Sequence, residues 1–312
     1  MIISLTTIII GLLLLLYSAD KMISFSDTIA KEFSLSPILI GLTIVAFGTS
    51  APELVITIVA SIKSIPATDA IVGNVIGSNI ANLILILGVS ALFFKIDLGR
   101  IKLATNLYLL LITAYFSIIF FIDTKFNLFF TIGYLFFFIV FIFYIKNYQS
   151  EISEESEEKN DFHKSIYIKL LITFIGIFIR GKLFLDGSLD LSRYFGLSET
   201  IIGISILAIG TSLPELVTVI VAYIKKSGSI GIGNVIGSNI MNILFVFFPG
   251  LLIIQSRGIV FSIPDNSILH ICMLAISTLL IILMSLLKIS ISKFIALLFM
   301  VSYVSYIWYS VS

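Results

Sequence analysis

Long blocks of residues that are apolar on every face alternate along the chain with short stretches rich in charge or turn formers. A helix crossing a hydrocarbon core of about 30 Å needs about 20 residues. On that measure the blocks predict ten spans, near residues 2–18, 37–62, 69–92, 103–122, 127–146, 166–185, 198–224, 229–254, 268–287 and 293–310. Strands of a membrane barrel would alternate apolar and polar positions, and Leu128 to Ile145 does not alternate. The stretch Met1–Leu16 has no basic residue, and Tyr17-Ser18-Ala19 makes a poor cleavage site, so the first block reads as a membrane helix and not as a leader. The expected fold class is an all-α membrane protein with ten transmembrane helices.

Composition removes the soluble alternative. Of 312 residues 59% are hydrophobic and 12% charged, with a mean hydropathy of +1.16, against about a quarter charged in soluble domains. Ten helices would use roughly 200 residues and leave no room for a large extramembrane domain, so the function must lie within the bilayer. The net charge of +1 carries no information about partners. Inorganic cations and the lipid bilayer are the expected partners, with no nucleic acid and no obligatory protein partner. Cys272 is alone, which excludes an intramolecular disulfide and a cysteine metal site.

Orientation follows from the basic residues. Connections after odd-numbered spans hold Lys21, Lys31, Lys95, Arg100, Lys102, Lys146, Lys159, Lys164, Lys169, Lys225, Lys226, Lys288 and Lys293. Those after even-numbered spans hold only Lys63, Lys125, Arg180, Lys182, Arg193 and Arg257. By the positive-inside rule the odd connections are cytoplasmic and both termini lie outside the cell membrane. Trp308, with Tyr303, Tyr306 and Tyr309, is expected in an interfacial belt around the last helix. The longest connection, 147–165, carries Glu151, Glu154, Glu155, Glu157, Glu158 and Asp161 and reads as a solvated acidic linker. It lacks the central glycine of an EF-hand loop, and its His163 needs no special role.

The chain also repeats itself. Residues 41–59 match residues 203–221 at 12 of 19 positions, and Gly73-Asn74-Val75-Ile76-Gly77-Ser78-Asn79-Ile80 recurs unchanged as Gly233 to Ile240. The repeat unit is five spans, an odd number, so the second half is expected to be inverted relative to the first. The domains are then a first repeat, 1–146, the linker, 147–165, and a second repeat, 166–312. Inverted repeats with interrupted helices point to a transporter whose site lies near the midplane between the halves.

Each copy of the first motif, Gly48-Thr49-Ser50-Ala51-Pro52-Glu53 and Gly210-Thr211-Ser212-Leu213-Pro214-Glu215, puts a carboxylate in the middle of an apolar span. Burying a charge there costs about 2.5–3.5 kcal/mol on insertion scales. No Lys or Arg shares either span core, which leaves a bound cation or a proton as compensation. Thr49 and Thr211 stand four residues before their glutamates, so each hydroxyl is expected one turn from its own carboxylate on the same face. Pro52 and Pro214 free carbonyls about four residues earlier, near Gly48 and Gly210. Carboxylate, hydroxyl and carbonyl oxygens without His or Cys suit Ca²⁺ or Na⁺ and not zinc or copper. The second motif adds Ser78 with Asn82 and Ser238 with Asn242, each pair four apart. Asn74, Asn79, Asn234 and Asn239 fit either helix packing or the site, and Gly73, Gly77, Gly233 and Gly237 have the small-xxx-small spacing of close helix contacts.

At these motifs the sequence resembles the cation/calcium exchanger superfamily, in particular the compact prokaryotic sodium/calcium exchangers. The resemblance spans nearly the whole chain. It implies alternating access, with Ca²⁺ and Na⁺ as transported ions and no organic cofactor. It implies a Ca²⁺ site using Glu53, Glu215, Thr49 and Thr211, and Na⁺ sites drawing on the carbonyls of Ala46 and Ala208 and on Ser50, Ser78, Ser212 and Ser238. Asn82 and Asn242 would line its middle, and sliding of the first helix of each half would switch access. Asn242 stands where some members have aspartate, so this site has two acids; one Ca²⁺ neutralises them, whereas three Na⁺ would leave +1. A Ca²⁺/H⁺ or K⁺-dependent exchanger is the alternative on the same fold. An intramembrane hydrolase using Ser50 or Ser212 would need a base, and the one His in a span, His270, has no repeat partner and no adjacent acid, so an enzyme is not expected. A channel also lines its path with oxygens, but paired acids in inverted halves favour alternating access.

Overall fold

A computed structural model describes residues 2–122, 125–126, 128–150, 165–194, 208–262 and 267–311. Most of the expected acidic linker, residues 151–164 with His163, and the start of the seventh expected span, residues 198–207, lie outside the described residues.

The described chain is helical apart from two short strand pairings. In order the helices are α1 (Ile2–Glu32), α2 (Pro37–Thr49), α3 (Ala51–Ile62), α4 (Thr68–Phe93), α5 (Leu103–Ile122), α6 (Leu128–Ser150) and α7 (Ser165–Tyr194). They continue as α8 (Ala208–Thr211), α9 (Leu213–Ile224), α10 (Gly228–Ser256), α11 (Ser267–Leu286) and α12 (Lys293–Val311). Among the described residues seven helices are long and apolar enough to cross a bilayer, and an eighth span is made if α2 and α3, bent by 45° at their junction, count as one.

The outer helices depart from the expected boundaries. α1 does not stop near residue 18. It runs to Glu32, a length of about 46 Å at 1.5 Å per residue, because Ala19, Met22, Ile23, Ile29 and Ala30, with the small Ser18 and Ser26 between them, continue a buried face while the charged residues Asp20, Lys21, Asp27 and Lys31 stay partly or fully exposed. Ser24 and Thr28 return their hydroxyls to the carbonyls one turn back, and Lys31 pairs with Asp27 at 3.0 Å. Lys21, Lys31, Arg180 and Lys182 therefore sit within α1 and α7, not in connections. α6 likewise continues through the first residues of the expected linker.

Two apolar clusters organise the packing. The larger joins α4, α5, α6, α10, α11 and α12 around Val75, Phe116, Tyr134, Ile236, Phe247 and Ile281. The smaller is built by α1 and α7, through Leu15, Ala19, Met22, Leu170 and Ile177, against Val45, Leu213 and Val217. Where α2 crosses α10 the backbones touch: a Cβ on Gly41 would overlap the carbonyl of Ile230, one on Gly233 the carbonyl of Ile38, and one on Gly237 would lie 2.5 Å from the Leu42 oxygen. Around a Cβ on Gly73 or Gly77 nothing lies within 4 Å among the described residues.

The strands carry an unexpected regularity. β1 (Ile96–Asp97) pairs with β4 (Ser290–Ile291), and β2 (Lys125–Phe126) pairs with β3 (Phe261–Ser262), both antiparallel. β3 and β4 follow β1 and β2 by the same 165 residues, and that offset carries the pairs Ile96–Ile291 and Asp97–Ser290 onto Phe261–Phe126 and Ser262–Lys125. Helix α5, 20 residues long, separates β1 from β2.

At the chain end, Trp308 and Tyr309 are exposed as a belt would require, but Tyr303 is buried in the larger cluster and the Tyr306 hydroxyl lies 2.8 Å from Nδ1 of His270. Cys272 is exposed on α11.

Candidate cation site

The two glutamates owe their position to a broken helix. Pro52 has no N–H and stands in the first turn of α3, so the helix cannot run through; Ser50 takes φ −80° and ψ 5°, and the axis turns by 45°. The second half repeats the device, with Ser212 at φ −86° and ψ 4° between α8 and α9 and Pro214 in the first turn. Each break leaves a glutamate in the first turn of the following helix, where free N–H groups favour negative charge.

Glu53 and Glu215 are 0% and 1% exposed. Ser78 donates to Oε1 of Glu53 at 3.4 Å, while Oε2 of Glu53 and both oxygens of Glu215 have no hydrogen bond of good geometry. Neither carboxylate is paired with a Lys, Arg or His, and no third acid, His or Cys joins them among the described residues.

The break changes one expectation. Thr49 does not serve its own glutamate. Its hydroxyl donates to Oδ1 of Asn234 at 3.0 Å, lies 3.3 Å from the Ser238 hydroxyl and stands beside Glu215; Thr211 in turn stands beside Glu53. The threonine and glutamate faces are exchanged between the halves because residues 49 and 53 lie on either side of the bend. Ser50 and Ser212 are buried with hydroxyls that have no partner, and Asn82 is buried with neither end of its amide bonded. The Ala46 carbonyl accepts from the Ser50 N–H at 3.0 Å, and the Thr49 hydroxyl lies 3.3 Å from it. Ala208 opens α8.

Asparagines make contacts that the sequence left open, one within the first half and two between the halves. Asn74 donates to the Glu53 carbonyl at 3.0 Å and to the Thr57 hydroxyl at 3.2 Å. Asn242 donates to Oδ1 of Asn79 at 3.0 Å, and Asn79 to the Asn239 carbonyl at 3.4 Å. The recurrence of Asn74 and Asn79 in an unchanged octapeptide, and of Asn82 two residues after it as Asn242, is the available signal. Wider helical turns with i to i+5 bonding occupy Gly41–Val45, Ala81–Ile86 and Asn242–Phe247, so that Asn82 and Asn242 sit where the helix is locally unwound. Such turns gather at functional sites.

These features meet one family's pattern. A family profile described as "Sodium/calcium exchanger protein" matches residues 3–146 and 165–312. The chain belongs to the sodium/calcium exchanger family. Among its relatives in this family, the sodium/calcium exchanger MaX1 of Methanosarcina acetivorans is 31% identical over 332 aligned positions, covering 89% of this chain and 90% of that protein. The putative antiporter CaxA of Alkalimonas amylolytica is 31% identical over 260, covering 79% of each. The solved structure of the sodium-calcium exchanger NCX_Mj soaked with zero Na⁺ and Ca²⁺ superposes with a TM-score of 0.80 at 30% identity, covering 97% of this chain and 98% of that one. A second crystal of that exchanger, soaked with 2.5 mM Na⁺ and 10 mM Sr²⁺, gives 0.79. The family is one of transporters, and this member is a multi-pass membrane protein.

Proposed function

We propose that the chain is a secondary-active antiporter that exchanges Na⁺ for Ca²⁺ by alternating access between two inverted five-helix halves. One observation carries this reading: two buried carboxylates, one from each half, stand at matching positions just after the two helix breaks, with no protein cation to neutralise either among the described residues. An uncompensated pair of charges in a low-dielectric interior is untenable without a cation or protons. The oxygens around them are hydroxyls and amides, hard donors of the kind Ca²⁺ and Na⁺ take. Glu53, Glu215, Thr49 and Thr211 form the Ca²⁺ site in this reading. Ser50, Ser212, Ser78 and Ser238 with the Ala46 and Ala208 carbonyls supply Na⁺, and Asn82 and Asn242 line the middle.

Ten spans divide as residues 1–146 and 166–312, joined by the linker 147–165, with both termini outside. The strand pairings support the inversion. A constant offset of 165 residues that preserves register is what a two-fold axis relating the halves would give, and β1 and β2 lie at opposite ends of a helix long enough to cross the membrane. The family profile, matching in two stretches of similar length, supports the division. The cargo named in the relatives' descriptions, sodium and calcium, agrees with the donor set.

The test is Ca²⁺ uptake into proteoliposomes under an outward Na⁺ gradient, an outward H⁺ gradient or none. Uptake with Na⁺ alone is expected; uptake with H⁺ alone, or a need for added K⁺, would move the chain to the Ca²⁺/H⁺ or K⁺-dependent exchangers. Glu53→Gln and Glu215→Gln should each abolish it, and normal transport by either variant would show the site to be misplaced.

A further inference from the structure

An asparagine is an ambiguous ligand for a cation. Its Oδ1 attracts and its Nδ2 repels, and the two ends differ little in size. For Asn242 to serve a cation, something must take its N–H end and hold it away. The structure contains such a device, and its polarity is set by chemistry at one end. Asn79 is within reach of the Asn239 backbone carbonyl at 3.4 Å. A carbonyl only accepts, so the end of Asn79 turned toward it is Nδ2, and the opposite end is Oδ1, which also only accepts. The group that meets Asn79 Oδ1 at 3.0 Å is therefore the N–H end of Asn242. Oδ1 of Asn242 is left buried and without a partner, one turn beyond Ser238, whose hydroxyl reaches Thr49. All three asparagines are at most 1% exposed.

The other half lacks the device. Asn239, the counterpart of Asn79, spends its N–H end on the Val235 carbonyl of its own helix at 2.8 Å, and its Oδ1 has no partner. Asn82, the counterpart of Asn242, is bonded at neither end. The two central asparagines are thus inequivalent: one has its polarity set by a hydrogen bond and the other has no hydrogen bond at either end.

We infer that Asn79 is a positioning residue that makes Asn242 a cation ligand, by holding its amide N–H so that Oδ1 faces the ion. The inference rests on the exchange function proposed above. Without Asn79, the Asn242 side chain can present N–H to the cation, and one ligand is lost for part of the time.

The decisive experiment is a cycle of Ca²⁺ affinities, measured by titration calorimetry on purified protein, for wild type, Asn79→Leu, Asn242→Asp and the double variant. An aspartate has oxygen at both ends and needs no orientation. Asn79→Leu should weaken Ca²⁺ about tenfold in the wild-type background, on the scale of one oriented hydrogen bond, and less than about twofold on the Asn242→Asp background. Equal weakening on both backgrounds, or none on either, overturns the inference, because a packing role is indifferent to residue 242. Asn79→Ala and Asn79→Ser run through the same cycle in case the bulkier leucine does not fold. Glu53→Gln is measured alongside. If it binds Ca²⁺ like wild type, the site itself is wrong; if it does not bind while the cycle is additive, only the role of Asn79 falls.

Discussion

Lys225 holds Asp20 at 2.7 Å and donates to the Ser24 hydroxyl at 2.7 Å, fastening α1 to the end of α9, the helix that begins next to Glu215. α1 and α7 share an apolar cluster with Val45, Leu213 and Val217, and this polar pair is added to those apolar contacts between α1 and α9. The two side chains are 28% and 43% exposed, and a pair so placed contributes about 0.2–1 kcal/mol. If α1 slides during the transport cycle, the pair must break. Asp20→Asn and Lys225→Gln are each expected to raise turnover at saturating Ca²⁺ by about 1.4- to 5-fold, with the double variant no faster than either single one. Additive rates in proteoliposome uptake would show that the two residues do not act as a pair.

Asn74 is held by Thr57, whereas the repeat places Val219 where a second threonine would stand. Val219 is fully buried and the Asn234 N–H end has no acceptor. The halves should respond with opposite signs. Thr57→Val keeps the methyl that packs against Gly250 but removes an acceptor, and should destabilise by about 1–3 kcal/mol. Val219→Thr offers the Asn234 amide a partner and should stabilise by about 0.5–1.5 kcal/mol. Thermal unfolding of both variants in detergent checks the pair, and equal signs would mean that the two asparagines are held in some other way.

What the sequence makes legible here is what local chemistry determines. The apolar blocks have to become helices of membrane length, Pro52 and Pro214 have to break them, and Glu53 and Glu215 have to be buried because their neighbours are apolar. Asp20, Ser24 and Asp27 read as the end of a span, although they are the polar face of a longer helix whose partner, Lys225, is some 200 positions away. The same limit hides the exchange of threonines between halves. Spacing puts Thr49 over Glu53 only if the helix is straight, and the 45° bend turns it toward Asn234 and Ser238. The polarity of the Asn79–Asn242 pair depends on a backbone carbonyl of the other half, which no local pattern records.

The crossing of α2 over α10 gives a steric prediction within one helix. A Cβ on Gly233 meets backbone, which cannot move aside, so Gly233→Ala should cost at least about 1–3 kcal/mol. Two residues earlier, a Cβ on Gly231 would sit 3.3 Å from the Ala222 Cβ, a contact that needs only a small adjustment. Replacing a helical glycine gains about 0.5–1 kcal/mol, so Gly231→Ala should be close to neutral. Comparable losses in melting temperature for the two would argue against the tight crossing.

Charge counting predicts where voltage acts. The site holds two carboxylates and, among the described residues, no third acid and no basic partner. Loaded with one Ca²⁺ it is neutral, and a neutral site crosses the membrane field without electrical work, whereas each uncompensated charge is worth about 2.3 kcal/mol per 100 mV. Ca²⁺/Ca²⁺ self-exchange, followed with a radioactive tracer in potential-clamped proteoliposomes, should therefore be insensitive to voltage, while Na⁺/Ca²⁺ exchange carries current. Asn242→Asp adds a third carboxylate and leaves the Ca²⁺-loaded site at −1, so self-exchange by that variant should become voltage-dependent. If wild-type self-exchange already responds to potential, a charge outside Glu53 and Glu215 moves with the ion, and the two-carboxylate site is incomplete.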